Sequence, residues 1–116
     1  MREADVTNLF AGCPVRDLAV ARPFYEALFG RAADLVPHTR EVCWQVREGS
    51  WIYVVEDPER AGGGLVTVLV ADLDALVAEW AARGVAPDVV EAVGPSGRKA
   101  RIADPDGNEL GFAQVG

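Results

Sequence analysis

Cysteine, basic charge and long apolar runs are all scarce in this sequence, and each scarcity excludes a class of protein. The only two cysteines, Cys13 and Cys43, lie inside apolar stretches, so we expect reduced, buried thiols and no disulfide framework. No apolar run approaches the roughly 18 residues that are needed to cross a bilayer, and the first residues are mostly polar. These features predict a cytoplasmic protein that does not bind a membrane.

The charge balance excludes a second class of partner. Eleven basic residues against 18 acidic ones give a net charge of -7, and such a field repels nucleic acid and anionic lipid. Half of the residues are hydrophobic and a quarter are charged, which is typical of a packed globular core. We therefore expect one domain over residues 1–116, without a nucleic-acid partner.

An internal repeat organises the chain. Residues 15–18, Val-Arg-Asp-Leu, recur as Val-Ala-Asp-Leu at residues 70–73, an offset of 55. A strand pattern rich in small and branched apolar residues precedes each copy, at Leu9–Val15 and Leu65–Val70. The repeat predicts two similar modules.

Each copy then begins a helix. Asp17 and Asp72 are suitable N-caps, because a carboxylate there accepts the free amide hydrogens of the first turn. The apolar stripe of the second copy predicts a helix over Leu73–Arg83. In the first copy Pro23 lies inside a similar stripe, so we expect that helix to be kinked or to start late.

Short extended runs follow each helix and complete a βαβββ pattern in each module. We place module 1 at about residues 6–57, a glycine-rich linker at residues 58–64 and module 2 at about residues 65–116. The predicted strands of the three-strand runs are Ala33–Val36, Val42–Val46, Trp51–Val55, Val89–Val93, Lys99–Ala103 and Leu110–Gln114.

Two motifs carry a resemblance to a known superfamily. Asp17-Leu18 followed by Phe24–Gly30 resembles the first-helix signature of the vicinal oxygen chelate superfamily, which includes glyoxalases, bleomycin-resistance proteins and extradiol dioxygenases. The turn Asp104–Asn108 and the segment Val70–Val85 resemble its late turn and second helix. The resemblance implies an α+β fold in which two βαβββ modules form a curved mixed sheet around a cavity.

The metal ligands that are usual in this superfamily are missing from the sequence. Members often place His or Glu at four equivalent strand positions, which fall here on Phe10, Tyr53, Leu65 and Gly111. A divalent cation in a catalytic site needs about three N, O or S ligands, and only Tyr53 has a donor atom. We therefore expect neither a metal nor another cofactor.

Strand alternation predicts what the cavity offers instead. Four aromatic residues would form a stacking wall, two charged residues would orient polar groups of a ligand, and a mid-strand glycine would allow close approach. The predicted ligand-binding residues are Phe10, Trp44, Trp51, Tyr53, Arg101, Glu109 and Gly111.

This set favours a metal-independent protein that binds a small aromatic or apolar molecule, and the resemblance to the bleomycin-resistance branch implies drug sequestration by a homodimer with exchanged or apposed modules. Three alternatives stay open. The first is a metal-free enzyme that uses Glu109 or Tyr53 as an acid or base, for instance in isomerisation. The second is a metal-dependent lyase or dioxygenase, and the third is an interaction domain with a filled core. His38, in a predicted loop, is expected to be solvated.

Overall fold

The computed structural model describes residues 1–116 and contains two four-stranded sheets, each with one helix. A short 3-10 turn, Glu3–Asp5, precedes them. Module 1 consists of β1 (Leu9–Val15), α1 (Leu18–Phe29), β2 (Leu35–His38), β3 (Glu41–Arg47) and β4 (Ser50–Glu56). Module 2 consists of β5 (Leu65–Leu69), α2 (Leu73–Ala82), β6 (Val89–Val93), β7 (Gly97–Ala103) and β8 (Glu109–Gln114).

Both sheets have the same topology. The strand orders are β1-β4-β3-β2 and β5-β8-β7-β6, with β1 parallel to β4, β5 parallel to β8, and the other pairs antiparallel. The predicted α+β fold with two βαβββ modules is therefore confirmed. The strand predicted at residues 33–36 lies instead at Leu35–His38, which places His38 at the end of β2 and not in a loop.

Both helices begin where their N-caps predict. The Asp17 carboxylate accepts from the amides of Ala19 and Val20 in α1, and Asp72 accepts from Ala75 in α2. The expected late start of α1 is wrong: the helix starts at Leu18 and keeps Pro23 in its exposed interior. Burial of Leu18, Ala21, Tyr25 and Leu28 against the core stabilises the helix despite the one backbone hydrogen bond that the proline cannot donate. Neither helix is long and apolar enough to cross a membrane.

One apolar cluster runs through both modules. The helices meet at the end of α1, where the indole Nε1 of Trp80 donates to the carbonyl of Leu28 at 3.0 Å. The turn between β7 and β8 adds a polar joint: the phenol of Tyr25 donates to buried Asp104 at 2.5 Å. The amide of Asn108 bonds the carbonyl of Pro14 at 2.7 Å. The modules are thus held together by their helices and by this turn.

The glycine-rich linker is packed against the same turn. The amide of Gly64 donates to Asn108 Oδ1 at 2.6 Å, and a Cβ at residue 64 would lie 2.7 Å from that oxygen. Gly62 has φ +85°, and a side chain there would overlap the carbonyl oxygen of Asp106. Glycine is required here for close approach and positive φ, in addition to any freedom it gives the connection.

Candidate functional site

Three of the predicted site residues form an aromatic wall on module 1, defined as Phe10, Trp51 and Tyr53. Phe10 lies opposite Trp51 in the parallel pairing of β1 with β4, and their rings stack with centroids 5.4 Å apart and planes 8° apart. Tyr53 meets Phe10 edge-on at 6.3 Å. Phe10 keeps 45% of its surface exposed, so the aromatic wall faces solvent.

The wall is held in place by a glycine and by a hydrogen bond. Gly12 lies opposite Tyr53, and a Cβ on Gly12 would lie 2.6 Å from the phenol ring. The indole Nε1 of Trp51 donates to Asn8 Oδ1 at 3.0 Å. Glycine at position 12 therefore lets Tyr53 lie flat across β1, and Asn8 fixes the orientation of Trp51.

Three further predicted residues, Arg101, Glu109 and Gly111, gather on module 2. Arg101 lies opposite Gly111 and pairs with two carboxylates. Its Nη1 lies 3.2 Å from Glu109 Oε1, and its Nε lies 3.1 Å from Glu91 Oε1. Two glutamates on one arginine leave one excess negative charge in this acidic triad, Glu91, Arg101 and Glu109, and Lys99, which lies opposite Glu91, brings a balancing positive charge to the same face.

Glu91 was missed by sequence reasoning, although its place on β6 opposite Lys99 is the signal that could have found it. Lys99 also explains Gly111. Its aliphatic stem lies over the glycine, where a Cβ would overlap Lys99 Cε. The space at Gly111 is therefore filled by this chain's own lysine, and access for a ligand stays a prediction.

The predicted orientation of Trp44 is wrong. Trp44 lies opposite Ile52, a core residue, so its side chain points to the helix-bearing side of the sheet. It is fully buried, its ring lies 5.1 Å from that of Phe29, and its Nε1 donates to the carbonyl of Arg31. Cys43, the preceding residue, lies opposite Tyr53 and therefore points to the other face. The error is one of register, because a shift of one residue exchanges the two faces.

The chain does not bring the aromatic wall and the acidic triad together. No hydrogen bond, ion pair or aromatic contact joins the two groups, and no cavity is lined by both. The larger cavity, of about 460 Å³, lies between β1, the end of β3, the start of β4 and β5, and of the predicted residues it includes only Trp51. Its aliphatic lining was not singled out in the sequence, because such residues look like ordinary core.

The four positions at which superfamily members carry metal ligands do not fit a metal here. Tyr53 and Gly111 are equivalent in register, since they lie opposite Gly12 and Thr67, each two residues beyond Phe10 or Leu65. One phenol among four such residues is no donor set for a divalent cation. Nor do three His, Cys, Asp or Glu side chains come together elsewhere in the chain.

Two further groups bear on reactivity. Both cysteines are free and buried, as expected, and burial raises the pKa of Cys13 and of Cys43 to about 11. His38 is about half exposed, with its Nε2 3.7 Å from Glu41 Oε1, and it lines neither cavity. None of these three side chains is a strong candidate for a nucleophile or a general base.

Comparison with known proteins identifies the family. No family model and no curated protein sequence matches the chain. Among solved structures, a glyoxalase/bleomycin resistance protein from Catenulispora acidiphila is 40% identical over 94% of this chain and 98% of its own, with a TM-score of 0.90. An antibiotic-binding protein from Streptomyces sp. CB03234 is 29% identical over 100% of this chain and 99% of its own, with a TM-score of 0.71.

A more distant structure, a bleomycin-binding protein in complex with bleomycin, is 20% identical over 94% of this chain and 98% of its own. Its TM-score of 0.74 shows a shared fold. The degree of identity and the coverage of the Catenulispora acidiphila protein go further, because they extend over nearly the whole of both chains. This chain belongs to the glyoxalase/bleomycin resistance protein family.

Proposed function

We propose that the protein binds a small, planar, drug-like molecule and that this binding does not require a metal. The aromatic wall is the surface that recognises the molecule. The observation that supports this proposal most directly is that Phe10 stacks on Trp51 on a face of the sheet that the rest of the chain does not cover. Core aromatics such as Trp44 are fully buried, whereas these rings present a face to solvent. A planar ligand gains both apolar burial and stacking there.

Family relations support binding as the activity. The antibiotic-binding protein from Streptomyces sp. CB03234 shares the fold over its full length. The family name also covers glyoxalases, so catalysis is the second candidate, with Tyr53 or Glu109 as the acid or base. Binding is favoured because the Glu109 carboxylate is already engaged by Arg101.

We further propose that a second copy of the chain completes the site. The aromatic wall and the acidic triad lie on separate modules. Leu65, on the edge strand β5 of module 2, has 76% of its surface exposed. Apposing module 1 of one copy with module 2 of another would cover this apolar surface and bring the two groups face to face. Analytical ultracentrifugation tests this: Leu65→Arg should convert a dimer to a monomer, and a monomeric parent protein would contradict the proposal.

Titration of the intrinsic tryptophan fluorescence tests ligand binding. Bleomycin and a panel of planar polycyclic compounds serve as probes, and Trp51 should respond because Trp44 and Trp80 are buried. Phe10→Ala should raise the Kd about fivefold, since a stacked aromatic contributes on the order of 1 kcal/mol. The matched control is Phe24→Leu on α1, which should leave the Kd unchanged.

Three outcomes would contradict the proposal. No response to any planar compound removes binding, and equal affinity in Phe10→Ala removes the aromatic wall. Stoichiometric metal that survives dialysis of the purified protein, together with loss of binding on chelation, removes metal independence. Product analysis by mass spectrometry after incubation distinguishes the enzyme from the binding protein.

A further inference from the structure

The cavity of about 460 Å³ between the modules has a different chemistry from the aromatic wall. Eight of its 11 lining residues are hydrophobic, and Trp51 is the only aromatic one. The others are aliphatic and come from four strands, among them Leu9 and Ala11 of β1 and Val66 and Val68 of β5. Its volume falls in the range of about 300–1,000 Å³ that is typical of small-molecule sites.

The polar part of the lining has one sign of charge. Arg47, at the end of β3, is the only charged residue that lines the cavity. Seven other arginines form ion pairs, whereas Arg47 lies within 4.0 Å of no carboxylate. Ser50 and Thr67 also line the cavity, and neither hydroxyl takes part in a hydrogen bond within the chain.

Arg16 and Arg83 likewise have no carboxylate within 4.0 Å, but Arg83 bonds two backbone carbonyls and neither residue lines this cavity. The charged group that a ligand would meet there is the guanidinium of Arg47. Its fork of donors matches a carboxylate in two-point geometry, and the aliphatic walls next to it match an alkyl chain. We propose that this cavity is a second binding site, and that it takes an amphipathic monoanion with one carboxylate on an unbranched aliphatic body.

The cavity and the aromatic wall are distinct sites that share one residue. Trp51 lines the cavity and stacks on Phe10, whereas Phe10 and Tyr53 do not line the cavity. A ligand in the cavity is therefore expected to change Trp51 fluorescence without depending on Phe10. This independence separates failure of the second site from failure of the proposed drug site.

Isothermal titration calorimetry with decanoate, decanol and octanoate, each below its micelle concentration, tests the proposal. Decanoate should bind more tightly than decanol by about tenfold, because only the carboxylate meets Arg47. Removing two methylenes to give octanoate should weaken binding about tenfold, as burial of an alkyl chain requires. Arg47→Gln should abolish the preference for decanoate over decanol, and the matched control Arg60→Gln, in the linker, should keep it.

Position is tested by blocking the cavity. Val46→Trp fills it from a partly exposed strand position, and Leu69→Trp does so from an exposed one, so at least one variant should stay folded. Both should abolish decanoate binding, and Phe10→Ala should not change it. The proposal is overturned if decanol binds as tightly as decanoate, if Arg47→Gln keeps the preference, or if a folded blocking variant still binds.

Discussion

Module 1 and module 2 share one topology but differ in where they carry their large aromatic side chains. Module 1 has Trp44 on a strand, and the equivalent position in module 2 is Ile102, which lies opposite Leu110 as Trp44 lies opposite Ile52. Module 2 compensates with Trp80 on its helix, edge-on to Phe112 at 4.9 Å. Each module thus contributes one buried indole to the core, from the sheet in module 1 and from the helix in module 2. The repeat preserves the strand positions and the filled volume of the core, but either the sheet or the helix can supply the large side chain.

The turns before the last strands differ more sharply. In module 1, β3 and β4 are joined by two residues, Glu48 and Gly49, and Gly49 has φ +77°. In module 2, the equivalent turn is Asp104–Asn108, which reaches the other module through Tyr25 and Pro14. The same structural position is a simple hairpin in one module and the joint between modules in the other.

Replacing Asp104 should have the largest effect on stability, and the effect should be confined to the turn of module 2. Its carboxylate accepts from Tyr25, from the side chain and backbone amide of Asn108 and from the amide of Asp106. Asp104→Ala leaves these buried donors unpaired and should lower the free energy of unfolding by about 3–5 kcal/mol. Glu48→Ala in the other turn should change it by less than about 0.5 kcal/mol. Urea denaturation measures both, and equal effects would refute the role of the joint.

The two faces of module 1 should be equally unreactive at their thiols. Cys13 lies in the core and Cys43 lies opposite Tyr53, yet burial raises both pKa values to about 11. At pH 8 the thiolate fraction is then more than about a hundredfold below that of a free cysteine. Reaction with a disulfide reagent should be slower by that factor until the protein is denatured. Rapid labelling of Cys43 in the single-cysteine variant Cys13→Ala would show that its face is open.

A matched pair of substitutions sharpens the distinction between core and wall. Trp44→Phe removes buried volume and leaves the carbonyl of Arg31 without its donor, so the free energy of unfolding should fall by about 2 kcal/mol. Trp51→Phe keeps a stacking ring on a partly exposed site and should cost less than about 1 kcal/mol. Thermal unfolding of both variants checks the order. The reverse order would mean that the wall is the better packed of the two.

The smallest expected effect on stability concerns two surface ion pairs, Asp34 with Arg31 and Asp74 with Arg98. Hydrogen bonds from Arg31 and from the backbone of Gln45 lower the pKa of Asp34 below its ordinary value of 3.8. The charged form is thus favoured in the folded state, and this stabilisation is lost as the pH falls below 3.8. Asp34→Asn should cost about 0.5–1 kcal/mol at pH 7, and the difference should shrink in acid.

The control for that comparison lies in module 2. Asp74 pairs with Arg98 but is 80% exposed, so Asp74→Asn should have no measurable effect at any pH. Urea denaturation at pH 7 and in acid measures both variants. A cost for Asp34→Asn that stays constant from neutral to acid pH would exclude the ion pair as its cause.

Most of the fold follows from the sequence because local signals and the repeat agree. β1 and β6 begin and end at the predicted residues, and α2 ends one residue early because Arg83 serves as its C-cap. The start of β2 was misplaced because Leu35–His38 contains Pro37, which an edge strand tolerates but a strand pattern penalises.

The candidate site was predicted only where alternation sufficed. Phe10, Trp51 and Tyr53 share a face because adjacent paired strands fix it. The prediction for Trp44 gives the wrong face, although the repeat makes it equivalent to Ile102, which lies in the core. The cavity at Arg47 could not be predicted, because it depends on how the two sheets diverge and no sequence pattern encodes that angle.

The bond between Tyr25 and Asp104 spans 79 positions of the chain and imposes an order on folding. As the chain leaves the ribosome, module 1 can pair its own strands, whose contacts all lie within about fifty residues. Its buried phenol has no acceptor until the last turn of module 2 emerges. Module 1 is therefore expected to reach its final packing only after the last turn of module 2 has been synthesised.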